Sequence, residues 1–232
     1  MTGPAASPSG SPPGGLPRAV EIPLAAVGLV LAAPVIGVAA LAVAVTSGTP
    51  VFFRQTRVGR GGEPFRLIKL RTMRASTSRE RVTARGDSRV TPAGSVLRRT
   101  KIDELPELWN VLRGDMSFVG PRPEVPEYVD PADPRWSYVL RARPGLTDPM
   151  TLRLRDEEVL MASVAGDRDR FYRETLQPWK LRGYAEYLER RSWRSDLGVL
   201  VRTVLAIWAP RRAGAAAPSK TDLEVLDGPP RA

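Results

Sequence analysis

The chain has 232 residues, contains no cysteine and no histidine, and carries 35 basic and 25 acidic residues, a formal net charge of +10. Without cysteine there is no disulfide framework and no thiol chemistry, and without histidine the Ser-His triads and the usual zinc sites are excluded. Any catalysis must therefore use carboxylates, Lys or Arg, hydroxyls or an oxygen-ligated metal. The positive charge predicts polyanionic partners: nucleic acid, anionic lipid or phosphorylated substrates.

Both ends of the chain have the composition of disordered segments. Residues 1–20 are rich in Pro, Gly and Ser, and residues 211–232 are rich in Ala and Pro. Such segments have too little apolar surface to bury, so we predict two disordered tails. No basic region precedes a signal-type apolar stretch at the N-terminus, so a signal peptide is not predicted.

Residues 21–46 are predicted to enter a membrane. No charge follows Glu21 in this stretch, and a helix of 24 residues would reach about 36 Å, more than the roughly 30 Å of a hydrocarbon core. Pro34 lies near the centre, where it removes a backbone hydrogen bond. Two interpretations stay open: a kinked helix that spans once, and a re-entrant helix that breaks near Pro34 and returns. Three arginines at 54–60 place the following domain in the cytoplasm.

Residues 51–74 predict two short strands around a Gly-Gly turn. The run PFRLIKLRT alternates apolar and basic residues with period two, which is typical of a strand. Lys69 and Arg71 share one face of it, and two cations on one face form a better phosphate cradle than scattered ones. Residues 54–101 hold fourteen basic and three acidic residues, and the simpler interpretation of this excess is attraction to anionic lipid.

The run LRRTKIDELPELWN, residues 97–110, predicts a helix that begins with two adjacent acids and runs to about Leu112. Pro106 fits only in a first helical turn, so Asp103 and Glu104 lie at or just before the N-terminus. Free backbone N–H groups and the positive end of the helix dipole favour anions at this position. These anions can be the acids themselves or a bound phosphate.

Two interpretations of this acidic pair stay open. Thr100 and Asp103 have the spacing of a capping box, so the acids could serve only to begin the helix. Against this, the pair follows a cationic run, Arg98-Arg99-Thr100-Lys101, and precedes Gly120-Pro121-Arg122-Pro123, a rigid turn that presents one arginine. An arginine held in place loses less entropy when it binds a phosphate.

Residues 184–208 predict one late amphipathic helix. Its apolar residues recur at i, i+4, i+7 and i+8, and they are Trp193, Leu197, Leu200, Val201, Val204, Leu205 and Trp208. This face lies either on a membrane interface or against the protein core.

Three stretches of the chain resemble the bacterial sugar transferase family, the monotopic polyprenyl-phosphate phosphoglycosyl transferases. They are PVFFRQTRVGRGGEPFRLIKLRTM, TPAGSVLRRTKIDELPELWNVLRGDMSFVGPRP and RARPGLTDP. The resemblance covers about residues 22–205 and implies an α+β, mostly helical fold. It implies a re-entrant membrane helix at residues 21–46, then a small cytoplasmic catalytic domain at residues 47–210 with a short β-hairpin and interfacial amphipathic helices.

The resemblance also implies an activity. The protein would transfer a sugar 1-phosphate from a UDP-sugar to polyprenyl phosphate and release UMP, on the cytoplasmic face of the bacterial inner membrane. Asp103 would be the nucleophile that forms a phosphosugar-aspartyl intermediate, and Glu104 its helper, with Mg²⁺ held at these two carboxylates. Membrane lipid would be a further partner, and nucleic acid is not expected because no nucleic-acid-binding motif accompanies the basic charge.

By the same resemblance, four cations would hold phosphate: Arg98, Arg122 and, in the strand motif, Lys69 and Arg71. Two positions depart from the family pattern. Ala33-Pro34 stands where the family has Ser-Pro, and Asp148 follows PGLT where the family usually has Gly. Two other classes of function stay open, a membrane-tethered basic binding protein and an inactive scaffold of the same fold.

Overall fold

The computed structural model describes residues 14–74, 83–84, 86–154 and 157–208. The predicted tails lie outside these ranges, apart from residues 14–20. The described chain is mostly helical with a small β part, as predicted. The helices are α1 (Arg18–Ser47), α2 (Pro92–Thr100), α3 (Leu108–Arg113), α4 (Pro134–Val139), α5 (Pro149–Arg153), α6 (Glu157–Ser163), α7 (Arg168–Phe171), α8 (Gln177–Glu189) and α9 (Trp193–Trp208). The strands are β1 (Phe52–Val58), β2 (Pro64–Leu70), β3 (Ser117–Val119) and β4 (Gly145–Thr147).

The predicted β-hairpin is present. β1 and β2 pair antiparallel, and Gly61 and Gly62 turn the chain between them at φ of 70° and 85°, a region that favours glycine. The outer edge of β2 is covered by one side chain of α3. Asn110 accepts from the Ile68 N–H at 3.2 Å and donates to the Arg66 carbonyl at 2.8 Å. Its amide therefore takes the place of a neighbouring strand and holds α3 against the hairpin.

A second, two-stranded sheet was not predicted. β3 and β4 pair in parallel, with Ser117 opposite Gly145 and Val119 opposite Thr147. A Cβ on Gly145 would lie 2.1 Å from the Gly120 nitrogen, and one on Gly120 would lie 2.3 Å from the Arg143 carbonyl oxygen. Only glycine allows this approach of the two backbones, and it sets the course of residues 120–123 beyond β3.

The predicted membrane segment lies within α1, a helix of 30 residues. The helix continues through Pro34, so the predicted break does not interrupt it as secondary structure. Within the described residues, α1 is the one helix long and apolar enough to cross a membrane, and only 17% of its most apolar 18-residue window is buried. A core helix of a globular protein would be mostly covered, and α1 is mostly exposed.

The N-terminal end of α1 binds the globular part through a charged pair. Arg18 donates from Nη1 to the Val111 carbonyl at the end of α3, at 2.9 Å. Glu21 is 1% exposed and accepts from the Phe118 N–H at 3.0 Å and from the Ser117 hydroxyl. A carboxylate buried in an apolar helix must be hydrogen-bonded, so these contacts attach this end of α1 to β3.

The C-terminal half of α1 packs on the same globular part. Ala39 and Val43 form a buried apolar cluster with Leu70 of β2 and Leu97 of α2. Closer to the N-terminus, Ala25 packs with Leu67, also of β2. Both sides of Pro34 therefore contact one folded unit, and β2 takes part in both contacts.

The prediction of one helix over residues 184–208 was wrong. The chain forms α8 and α9 with a break at residues 190–192. Arg191, buried in this break, pairs with Asp196 at 3.0 Å and donates to the Val119 carbonyl at 2.6 Å. The ion pair with Asp196 and the hydrogen bond to Val119 of β3 require the chain to turn at residues 190–192. The helical periodicity of the sequence cannot reveal such a tertiary contact. α8 then joins the main core, which includes Trp136, Leu176 and Tyr184.

The predicted apolar face of α9 is exposed rather than packed in the core. Trp193 is 51% exposed, and Leu197, Val201, Val204 and Leu205 are similar. All exposed large apolar side chains of the described residues belong to α1, β1, α2, α3 and α9, and the region from α4 to α8 contributes none. Exposed apolar surface confined to a few elements marks an interaction surface.

Candidate active site

The acidic pair sits in a 3₁₀ helix rather than at the start of an α-helix. Lys101 ends α2 in the left-handed region, at φ 60°, and turns the chain into a 3₁₀ segment, Ile102–Glu107, that continues as α3. Asp103 and Glu104 lie in the first turn, as Pro106 predicted. Left-handed backbone costs a non-glycine residue about 1–2 kcal/mol, and such strained positions cluster at functional sites.

The capping-box interpretation does not hold in this structure. Thr100 is the last residue of α2, and its hydroxyl donates backwards to the Val96 carbonyl at 2.9 Å. The residue before the 3₁₀ segment is Lys101, and no side chain caps that segment. The acids are therefore not needed to begin the helix.

Glu104 gathers three cations on one oxygen. Its Oε1 accepts from Lys69 at 3.2 Å, from Arg122 at 3.3 Å and from Lys101 at 3.4 Å. Burial alone would raise the pKa of this carboxyl, but the three cations lower the pKa well below its usual range. Glu104 is therefore ionised, and it holds in one place the cations that a phosphate would need.

Asp103 differs from Glu104 because its Oδ1 has no hydrogen-bond partner among the described residues. The residue is 7% exposed, and no hydrogen-bond donor among the described residues reaches its buried Oδ1. Burial and the charge of Glu104 raise the pKa of Asp103, while Lys69, Lys101 and Arg98 oppose this rise. A buried carboxylate oxygen is rarely left without a partner. This oxygen is thus available to a ligand, a metal ion or an electrophile.

Glu107 is a third buried carboxylate that the sequence analysis missed. It is 3% exposed, and its Oε1 lies 3.0 Å from the Lys69 ammonium, an ion-pair contact without hydrogen-bond geometry. Burial raises the pKa of Glu107, and Lys69 opposes the rise. The spacing of three residues from Glu104 was the signal in the sequence, since such residues lie on one face of a 3₁₀ helix.

Arg122 reaches the same carboxylates from the turn after β3. Burial would lower the pKa of this guanidinium, but Glu104, Glu107, Asp148 and Glu157 raise the pKa well above its usual range. Its side chain remains 34% exposed. The arginine is therefore held by acids on its inner side and can meet an anion on its outer side.

Asp148, the departure from the family pattern, caps α5. Its Oδ1 accepts from the Thr151 N–H at 2.8 Å, and the residue is 1% exposed. Burial raises its pKa, and the hydrogen bonds from Thr151 oppose the rise. An aspartate at this position therefore has a local structural reason, a buried N-cap beside Arg122.

Substitution of Asp148 separates its cap from its charge. Asp148→Ala is expected to lower the free energy of unfolding by about 1–2 kcal/mol, the loss of a well-formed N-cap, whereas Asp148→Asn should cost less than half as much, since Asn caps equally well. Urea unfolding measures both. Asp133→Ala, which removes the more exposed cap of α4, is the matched control. Equal losses for Asn and Ala at position 148 would show that charge, rather than capping, is what matters.

Two of the predicted phosphate ligands point elsewhere. Arg98 pairs with Glu158 of α6 and contacts the Met73 sulfur at 3.5 Å. Arg71 donates to the carbonyls of residues 47–49, at 3.1 Å for Thr49, so it holds the end of α1 against β2. The structure thus brings together Asp103, Glu104, Lys69 and Arg122. Among the described residues no hydrogen bond or ion pair joins Arg98 or Arg71 to these carboxylates, although the charge of Arg98 opposes the rise in the pKa of Asp103. Phosphate binding by Arg98 and Arg71 stays a prediction.

Only oxygen donors are available for a metal ion at this site. Asp103 offers its unpaired Oδ1, and Glu104 is adjacent, although its Oε1 is already surrounded by cations. The described residues contain no ready-made group of three or more metal-ligating side chains. Mg²⁺ commonly takes one or two carboxylates and completes its shell with substrate phosphates and water, and these donors fit that pattern.

The fold and the site define a protein in which a long exposed apolar helix packs beside a cluster of carboxylates and cations suited to phosphate. The chain belongs to the bacterial sugar transferase family, which it matches over residues 15–210. The resemblance noted in the sequence is thereby confirmed.

Several relatives are similar to this chain in sequence. A UDP-glucose:undecaprenyl-phosphate glucose-1-phosphate transferase of Caulobacter vibrioides is 40% identical over 197 residues, 81% of this chain and 67% of the relative. A protein of that name from Escherichia coli K12 is 49% identical over 110 residues, 47% of this chain and 24% of the relative. The exopolysaccharide production protein ExoY of Sinorhizobium fredii is 30% identical over 84% of this chain and 86% of its own length. This chain therefore spans about two thirds of the Caulobacter protein, about one quarter of the Escherichia coli protein and most of the Sinorhizobium protein.

Proposed function

We propose that this protein transfers a sugar 1-phosphate from a UDP-sugar to polyprenyl phosphate and releases UMP, the first membrane step in making an exopolysaccharide or glycoconjugate. The observation that carries the proposal is the unpaired, buried Oδ1 of Asp103 beside three cations gathered on Glu104. The names of the relatives, which specify undecaprenyl phosphate and a sugar 1-phosphate, support it.

In the first half of the reaction, the diphosphate of the UDP-sugar binds at the cation cluster. Lys69, Lys101 and Arg122 offset its negative charge, so that a carboxylate can approach. An oxygen of Asp103 then bonds to the sugar-proximal phosphorus, and the bond from this phosphorus to the bridging oxygen breaks. UMP leaves with that oxygen, and the sugar phosphate stays on Asp103 as an acyl phosphate.

In the second half, a phosphate oxygen of the polyprenyl phosphate bonds to the same phosphorus, and the bond to Asp103 breaks. The carboxylate is regenerated and the lipid diphosphate sugar departs. No net proton is taken up or released between these ionised phosphates, so the reaction does not require histidine. Glu104 keeps the three cations in place through both halves, because its Oε1 accepts a hydrogen bond from each of them.

We propose that Mg²⁺ binds at Asp103 and Glu104 with the substrate phosphates. When bound, it supplies positive charge against the phosphate oxygens. Asp103 fits this role because its Oδ1 is buried without a donor, and a hard oxygen ligand suits Mg²⁺.

We further propose that α1 is re-entrant, with both ends on the cytoplasmic side of the bacterial inner membrane. The contacts of Glu21 with β3 and of Val43 with β2 support this, because both ends of α1 bind one folded unit. A helix that crosses the membrane places its ends about 30 Å apart on opposite sides. The exposed face of α9 would lie on the interface beside it.

Cysteine labelling tests this topology, since the chain has no cysteine of its own. A cysteine placed at Gly14, ahead of α1, should not react with an impermeant thiol reagent added to intact cells, and should react after the cells are opened. Ala165→Cys, on an exposed position of the globular part, is the matched cytoplasmic reference. Labelling at position 14 in intact cells would establish a spanning helix.

The activity is tested by measuring UMP release with purified full-length protein, a panel of UDP-sugars, polyprenyl phosphate and Mg²⁺. Release of UMP together with a lipid-linked sugar phosphate is the expected result. Absence of UMP release with every sugar, in a protein that is folded, would favour an inactive scaffold. A salt-sensitive shift of DNA in its place would favour the basic binding protein.

A further inference from the structure

A groove lies at the start of β1, outside the cluster of carboxylates. It is open to solvent, has a volume of about 560 Å³ and is lined by Pro50, Val51, Phe52, Phe53, Arg54 and Arg71. Sites for small molecules usually measure about 300–1,000 Å³ and combine apolar walls with a few polar groups. This groove has the size and the mixed lining of such a site, and no step of the mechanism above uses it.

The groove exposes aromatic rings on a strand. Phe52 is 37% exposed, Phe53 is 45% exposed, and Arg54 is exposed as well. Successive side chains of a strand point to opposite faces, so three consecutive exposed residues mean that neither face is covered at this end of β1 by the described residues. No carboxylate among the described residues pairs with Arg54. The groove thus offers apolar surface and positive charge together.

Strand pairing connects this groove to the reaction site. Phe53 lies directly opposite Lys69 in the ladder, and the Cβ atoms of such a pair are about 4.5–5.5 Å apart on one face. The Lys69 ammonium in turn lies 3.2 Å from Glu104. The side chain of Lys69 therefore connects the groove, at Phe53, with the carboxylates, at Glu104.

We infer that the groove binds the isoprenyl units nearest the phosphate of the acceptor lipid, and so directs that phosphate toward Lys69 and Asp103. The inference rests on the proposed function. The acceptor has the same chemical character as the groove, an apolar chain that ends in an anion. The Phe53 ring, on the face of the hairpin that carries Lys69, would contact the chain, and Lys69 would face the phosphate. The groove is also continuous with the C-terminal end of α1, because Arg71, which lines it, binds the carbonyls of residues 47–49. An acceptor dissolved in the membrane would arrive along that helix.

The test separates the two half-reactions. Phe52→Ala/Phe53→Ala, in the full chain in detergent, is expected to raise the KM for polyprenyl phosphate by about tenfold or more, since it removes most of the apolar contact with the chain. The KM for the UDP-sugar and the single-turnover release of UMP without acceptor should stay within about twofold of the wild type, because only the second half-reaction uses the groove. Phe52→Leu/Phe53→Leu should restore most of the acceptor affinity and guards against a folding defect. Leu197→Ala/Val201→Ala, on the exposed face of α9, is the matched loss of apolar surface away from the groove.

Each outcome decides the question. An unchanged KM for polyprenyl phosphate in the alanine variant rejects the groove as an acceptor site and leaves the proposed function intact. A loss of membrane attachment with an unchanged acceptor KM in detergent would identify the rings as a membrane anchor and also rejects it. A wild-type protein that releases no UMP from any UDP-sugar would reject the proposed function, and the inference with it.

Discussion

Asp103→Asn should abolish sugar-phosphate transfer, with kcat reduced by about 10⁴-fold or more, as is typical when a covalent nucleophile is removed. The amide has the shape of the carboxylate but not its charge, and it cannot form the acyl phosphate. The measurement is transfer of radiolabelled sugar phosphate to polyprenyl phosphate, together with trapping of label on the protein in the absence of acceptor. Both signals should vanish together, because they depend on the same atom.

The fold should survive this change, since Oδ1 of Asp103 has no hydrogen-bond partner to lose among the described residues. A thermal unfolding midpoint near that of the wild type would confirm this. Asp130→Asn, which changes an exposed loop carboxylate that accepts from the Ala132 N–H at 2.9 Å, is the matched control and should keep full activity. Near-normal transfer by Asp103→Asn, with label still trapped on the protein, would show that another residue is the nucleophile.

Arg122→Ala should lower kcat/KM for the UDP-sugar by about 10²–10³-fold, the usual cost of removing one positioned donor from developing negative charge. The other cations of the cluster, Lys69 and Lys101, stay bound to Glu104, so the carboxylate is not left unpaired. Arg122→Lys should recover only part of the loss, because an ammonium cannot reproduce the planar, two-pronged contact of a guanidinium with phosphate. Steady-state kinetics at varied UDP-sugar concentration measures both.

The control for this substitution is an arginine in a purely structural ion pair. Arg170 pairs with Glu174 along the surface, and both side chains are more than half exposed. Arg170→Ala should therefore change neither activity nor stability by much, since exposed pairs contribute about 0–1 kcal/mol. Unchanged kinetics in Arg122→Ala would remove that arginine from the site.

The sequence predicted the hairpin and the local position of the candidate carboxylates, because both depend on residues that are close together along the chain. Alternation along residues 64–70 and a Gly-Gly turn suffice to define two paired strands. Pro106 placed Asp103 and Glu104 in a first helical turn, and the structure has them there. The early helix begins one residue earlier than predicted and in 3₁₀ form, because Lys101 turns the chain in the left-handed region, which no propensity of lysine suggests.

The errors arose where a distant contact decided the outcome. One periodic segment became two helices because Arg191 binds Asp196 and the Val119 carbonyl. The short parallel pair of β3 and β4 brings together residues that are 28 positions apart, as with Ser117 and Gly145, and three-residue strands leave no pattern to find. Arg71 follows the last residue of β2, and its guanidinium binds the carbonyls at the end of α1, a contact that the alternation of residues 64–70 does not predict.

By itself, the sequence determined which chemistry is possible. The absence of Cys and His left carboxylates as the leading candidates for any chemistry, and the resemblance to the bacterial sugar transferase family pointed to Asp103 and Glu104. Only the tertiary structure decided how the two acids differ, because Glu104 and Asp103 are neighbours of nearly equal chemistry in the chain. Cations from three separate elements converge on Glu104, and none donates to the buried oxygen of Asp103. Burial without a partner keeps that oxygen open to a phosphorus atom, and no local pattern of residues encodes such an environment.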